Sequence, residues 1–107
     1  MKNVTKLALT ALFGFALLTS TVEAGSINKG QKIYSKKIKG QCADKTGGDF
    51  AAAFKQKDWE DAFKAGKFEA KVKEVCPGLE TYKEKWTPHL FEFCFEYASD
   101  TGNEPAC

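Results

Sequence analysis

Four cysteines, Cys42, Cys76, Cys94 and Cys107, and a single histidine, His89, are the residues of this 107-residue chain best equipped for chemistry. Thiols can pair as disulfides, bind zinc or act as nucleophiles, and spacing and compartment decide among these. Zinc is disfavoured because the cysteines are widely separated and form no CxxC pair. An even cysteine number in a small domain behind an export signal favours disulfides. Three pairings are open, and the preferred one joins Cys42 to Cys76, leaving Cys94 and Cys107 near one another at the C-terminal end. Enzyme chemistry is not expected. There is no HExxH, phosphate loop or thioredoxin-like CxxC, and the carboxylates stand singly among lysines as solvated helix faces do.

The export signal is the N-terminal segment. Lys2 and Lys6 make a basic start, "LALTALFGFALL" is an apolar run of 12 residues, and "VEA" ends at Ala24 with small residues suited to signal-peptidase cleavage. A membrane span needs about 20 apolar residues, so Met1–Ala24 reads as a cleaved Sec signal peptide rather than an anchor. The expected location is periplasmic or secreted, with no stable membrane insertion after cleavage. Residues 25–107 then form one domain, large enough for a modest core that benefits from a covalent staple.

Charge is balanced overall, at +2, but unevenly placed. Residues 25–57 carry eight lysines against Asp44 and Asp49, whereas 58–107 carry six lysines against eleven acids. Every basic residue is lysine, so the planar fork that reads phosphates and base edges bidentately is missing, and nucleic acid is not an expected partner. Lys32, Lys36, Lys37 and Lys39 instead offer a basic face that can steer an acidic protein.

The elements that must position these residues are helices. Ser26 or Asn28 can cap a first helix with Ile27, Ile33, Tyr34 and Ile38 on one side and Gly40 as its stop. "ADKTGGD" reads as a loop, with Asp49 capping a short helix through Phe54. A third helix opens at Asp58, turns Trp59, Ala62 and Phe63 to one face and stops at Gly66. A fourth, "FEAKVKEVC", ends at Pro77-Gly78. Leu79, Tyr82 and Trp86 lie in a partly helical connection. The last helix starts with Thr87 as N-cap and Pro88 in its first turn, and stops at Gly102. Its broad apolar belt calls for burial on most sides, so the first and last helices are expected to cross at the centre of an all-α core. Trp59 and Trp86, at helical spacings, read as core residues rather than as a platform for sugars.

"KGQKIYSKK", from Lys29, resembles the first helix of class I c-type cytochromes. "GG" at Gly47 resembles the loop after their haem site, and the aromatic last helix resembles their C-terminal one. The resemblance implies a small cytochrome c-like bundle of four to five short helices. It breaks at the haem. Ile38 and Gln41 stand at the two thioether positions, Cys42 stands at the position of the proximal histidine, and no CxxCH occurs anywhere in the chain. The sole methionine, Met1, leaves with the signal peptide, which removes the usual distal ligand.

The resemblance therefore implies a haem domain without covalent haem, stapled by a disulfide from Cys42 and packed with aromatic side chains. No cofactor is expected, and haem is possible only by another route than CxxCH. The expected role is a non-catalytic accessory or binding module near an electron-transfer chain, docking an acidic periplasmic redox protein. Two alternatives stand beside it: an electron carrier with non-covalent haem on His89, or a secreted disulfide-stabilised interaction protein unrelated to haem.

Overall fold

The computed structural model describes residues 25–107, and the expected signal peptide, Met1–Ala24, lies outside the described residues. The described residues contain five α-helices and no strands. α1 (Ile27–Ile33) passes without a break into a π-helical turn (Tyr34–Ile38) and then a 3-10 turn (Lys39–Gln41). α2 (Gly47–Ala51), α3 (Gln56–Lys64) and α4 (Phe68–Val75) follow, and a 3-10 turn (Glu84–Trp86) leads directly into α5 (Thr87–Glu96). The all-α bundle expected from the periodicity is thus observed. α1 packs against α5 more extensively than any other two separate elements pack together.

That contact is intimate because α1 offers glycine where the helices cross. A Cβ on Gly30 would collide with the His89 carbonyl oxygen and lie 2.8 Å from Phe93 Cβ. A Cβ on Gly25 would collide with the Pro88 carbonyl in the same way. The backbones can therefore approach to a distance that no other residue permits.

Below the crossing, the core is largely aromatic. Tyr34 stacks on Phe50 with centroids 4.4 Å apart, and Trp59 meets Phe50, Phe54 and Phe68 at 5.8, 5.2 and 5.5 Å. Tyr34, Phe50, Trp59 and Phe93 are wholly buried, and their polar atoms are satisfied: the Trp59 indole N–H donates to the Ala51 carbonyl at 2.8 Å, and the Tyr34 hydroxyl to that of Lys45 at 2.6 Å. Each such ring removes roughly 150–250 Å² from water, so this chain of rings dominates burial.

The helix ends differ in places from the sequence expectations, each for a local reason. Ser26 is the cap of α1, accepting the Lys29 N–H at 3.2 Å. Gly40 does not stop the first helix. The chain stays helical to Gln41 and turns at Ala43 and Asp44, whose φ angles of 56° and 58° are left-handed, which brings Cys42 to Cys76 while Ile38 stays in the core. Thr46, not Asp49, caps α2. α3 begins two residues before Asp58, whose carboxylate reaches back to the Lys55 N–H at 3.4 Å. Gly66, with φ 72°, ends α3 as expected. Thr87 is not an N-cap: a helical turn precedes it, and its hydroxyl is bonded to that of Tyr82 at 2.6 Å. α5 ends at Glu96, and Gly102 instead turns the C-terminal tail.

One disulfide is present, Cys42–Cys76, with both cysteines buried. The second disulfide expected from the even cysteine number is not formed: Cys94 and Cys107 are free thiols, the former fully buried. The Cys107 sulfur and the Phe93 ring tip converge on Gly47, within 2.5 and 2.9 Å of a Cβ placed there. Cys94 is the next residue round the helix from Phe93, about 100° away.

Candidate functional site

Ile38, Gln41 and Cys42, the residues that the resemblance to cytochromes aligned with haem attachment, hold the chain together. Ile38 is wholly buried in the core, and Cys42 is bonded to Cys76. Gln41 makes four hydrogen bonds. Its Nε2 donates to the carbonyls of Lys37 and Thr81 at 2.8 and 3.0 Å, and its Oε1 accepts the N–H groups of Glu80 and Thr81 at 2.8 and 2.9 Å. This side chain clamps the segment after Cys76 to the end of the first helix, next to the disulfide. The residues at these positions do not fit covalent haem.

His89 is also engaged. It is 8% exposed, and its Nδ1 accepts the Ser26 N–H at 3.0 Å, so the one acceptor lone pair of the neutral imidazole is already engaged. The same bond ties the first turn of α5 to the cap of α1. Among the described residues no group of three or more His, Cys, Asp or Glu is placed to hold a metal ion.

Beside His89 lies a groove of about 300 Å³ between α1 and the start of α5. Lys29, Lys32 and Ile33 line one side, and Lys85, Trp86 and His89 the other. The spacings 29, 32, 33 and 85, 86, 89 each place three residues on one helical face, and the glycine-mediated crossing brings the two faces together. Tyr82 packs edge-on against Trp86 at 5.6 Å and holds the 3-10 turn in place.

Of the four lysines proposed as a docking face, the structure brings Lys32 to this groove. Lys36 and Lys37 are exposed on the π-helical turn, Lys39 is partly exposed beyond it, and none of the three lines the groove. The π turn accounts for the separation: the Lys39 N–H bonds to the Tyr34 carbonyl, five residues back, so residues after Ile33 fall out of the α-helical register that would have continued the stripe. Lys29, Lys85 and Trp86 are the residues that sequence reasoning missed. The signal for the last two was the "KW" doublet just before Thr87-Pro88, but nothing local says that it faces α1.

A second cavity, of about 380 Å³, lies near the C-terminus and is bordered by Asp49, Tyr97, Glu104 and the half-buried Cys107 thiol. Trp59 and Trp86 are both buried, so neither forms an exposed platform.

Burial sets the titration behaviour. It pushes the Cys94 thiol well above its ordinary range. It also raises Tyr82, an effect that the hydrogen bond to Thr87 partly opposes, and Tyr34, where Cys107 and Cys94 add to it. All three are acids held neutral in the fold and free to ionise in the unfolded chain. Their stabilising contribution is therefore complete below the unfolded values, about 8.5 for Cys and 10 for Tyr, and is lost as pH rises towards the folded ones. Stability is expected to fall above about pH 8.5, by up to about 1.4 kcal/mol per pH unit for each proton retained. Urea titrations from pH 7 to 11 check this, and Cys94→Ala should remove the earliest part of the slope; an unchanged slope would contradict the assignment.

Together the fold and the groove define a small disulfide-closed all-α domain with a basic cleft at its helix crossing. No family model, no curated protein and no solved structure matches the chain.

Proposed function

We propose that this chain is an exported, haem-free, cytochrome c-like scaffold that acts as a non-catalytic binding module near an electron-transfer chain, with an acidic protein as its partner. The observation that carries this reading is the use made of Ile38, Gln41 and Cys42: core residue, four-bond clamp and disulfide. Side chains here hold the end of the first helix to the rest of the domain, the task that covalent haem performs in the cytochromes this chain resembles. The aromatic packing around Trp59 and the lysines on α1 support the same reading, the first by filling the core and the second by offering charge to a partner.

The test is a visible spectrum of the protein isolated from the periplasm of a haem-competent host, before and after added haemin, followed by gel filtration with acidic periplasmic proteins at low and high salt. The expected result is no Soret band and a complex that forms at low salt and dissociates at high salt. A stoichiometric Soret band that His89→Ala abolishes would instead make the protein a non-covalent haem carrier and overturn the proposal.

A further inference from the structure

We propose that the groove between α1 and the start of α5 docks an acidic peptide segment, seating one large apolar side chain between flanking carboxylates. This inference rests on the binding-module reading and specifies its site and ligand chemistry.

The floor and the rim of the groove make different demands. Ile33, Trp86 and His89 offer apolar and aromatic surface, while Lys29, Lys32 and Lys85 surround it with three ammonium groups. Among the described residues no acidic side chain lines it. Among the described residues none of these three lysines forms an ion pair, although Lys57, Lys64 and Lys71 each pair with an acid on their own helix. Three like charges around one cleft repel each other until an anion arrives, and a single carboxylate would leave two of them uncompensated.

Trp86 supplies a second, independent indication. It is 6% exposed, and its indole N–H finds no acceptor among the described residues, whereas the indole N–H of Trp59 is bonded to Ala51. A nearly buried indole N–H without a protein partner takes its acceptor from outside the described residues, and a ligand oxygen can supply it.

Size and exposure choose the ligand class. About 300 Å³ accommodates one or two side chains, not a prosthetic group or a whole helix. A single-stranded nucleic acid would also combine charge with rings, but it binds through several stacked bases along an extended groove, and about 300 Å³ holds no such run. An acidic peptide with one aromatic or aliphatic anchor satisfies both the charge and the floor.

The experiment is an NMR titration of the 15N-labelled protein with an acidic pentapeptide carrying a central phenylalanine, at about 20 mM salt, where screening is weak. The expected shifts centre on Lys32, Ile33, Lys85 and the Trp86 indole N–H. Replacing the phenylalanine by glycine, or making the double substitution Lys32→Glu and Lys85→Glu at two exposed positions, should each weaken binding about tenfold or more. Shifts centred instead on Lys36, Lys37 and Lys39 would overturn the groove and leave the broader docking reading standing. Failure of the pentapeptide, with acidic proteins still retained at low salt, would have the same meaning. Failure of both would remove the two readings together. Tighter binding by an oligothymidylate of equal charge would overturn the peptide assignment.

Discussion

Removing the Cys42–Cys76 bridge is expected to destabilise the domain by about 4 kcal/mol and to lower its Tm by roughly 20 °C. The two cysteines are 34 positions apart, and cross-linking that span removes loop-closure entropy from the unfolded chain. An 83-residue domain has little stability in reserve, so much of its folded population depends on this one bond. Thermal unfolding followed by circular dichroism, for the native protein and for the double variant Cys42→Ala, Cys76→Ala, measures the effect. Reductant should lower the Tm of the native protein by a similar amount and leave the variant unchanged, because Cys94 and Cys107 are thiols already. A drop in the variant on reduction would show a second disulfide and contradict the structure. A thiol reagent adds a separate check: Cys107 should react in the folded protein, and the fully buried Cys94 only on unfolding.

Gly30→Leu is expected to cost about 3 kcal/mol or more, with Gly30→Ala milder in effect. Alanine at this position gains roughly 1 kcal/mol of helix propensity, so a simple helix argument predicts stabilisation. The tertiary structure reverses the sign. Even a bare Cβ meets the His89 carbonyl and Phe93 Cβ, both parts of α5 that cannot swing aside as the end of a flexible side chain can. Relief requires α1 and α5 to separate, which strains the Ser26–His89 hydrogen bond and opens the core beneath Tyr34 and Phe93. Denaturant titration of the alanine and leucine variants decides the matter: an alanine variant as stable as the native protein would mean that the helices cross less closely than described. Gly40 is the natural control. A Cβ there meets nothing within 4 Å and the residue lies in helical backbone, so Gly40→Ala should be neutral or slightly stabilising.

Much of the architecture was legible in the sequence. Helical spacing of Ile27, Ile33, Tyr34 and Ile38, the stops at Gly66 and Pro77-Gly78, and the aromatic belt around Phe93 led to an all-α bundle with its first and last helices crossing, as observed. These signals are local: a period of 3.6 residues, a left-handed glycine or a proline acts within one turn of the chain. The choice of caps was less legible. Thr46 and Asp49, or Asn28 and Ser26, carry similar side-chain oxygens, and where the chain must go next decides which of them is used.

The groove was not legible, and the reason is physical. Lys32 stands out in a lysine-rich helix, but Lys85 and Trp86 lie more than fifty residues further on, and no local pattern ties them to it. Nor does the sequence announce the π turn that takes Lys36 and Lys37 out of line with Lys29 and Lys32. By itself the sequence determined the helical class, the crossing of the terminal helices and the absence of a haem-attachment motif, because these depend on residue type and short-range spacing. Only the tertiary structure decided that Cys42 pairs with Cys76 while Cys94 and Cys107 stay reduced, and that three lysines meet over Ile33 and Trp86. The first outcome depends on where the chain turns after Gln41 and the second on how closely Gly30 lets α1 approach α5, and those are properties of packing between distant segments.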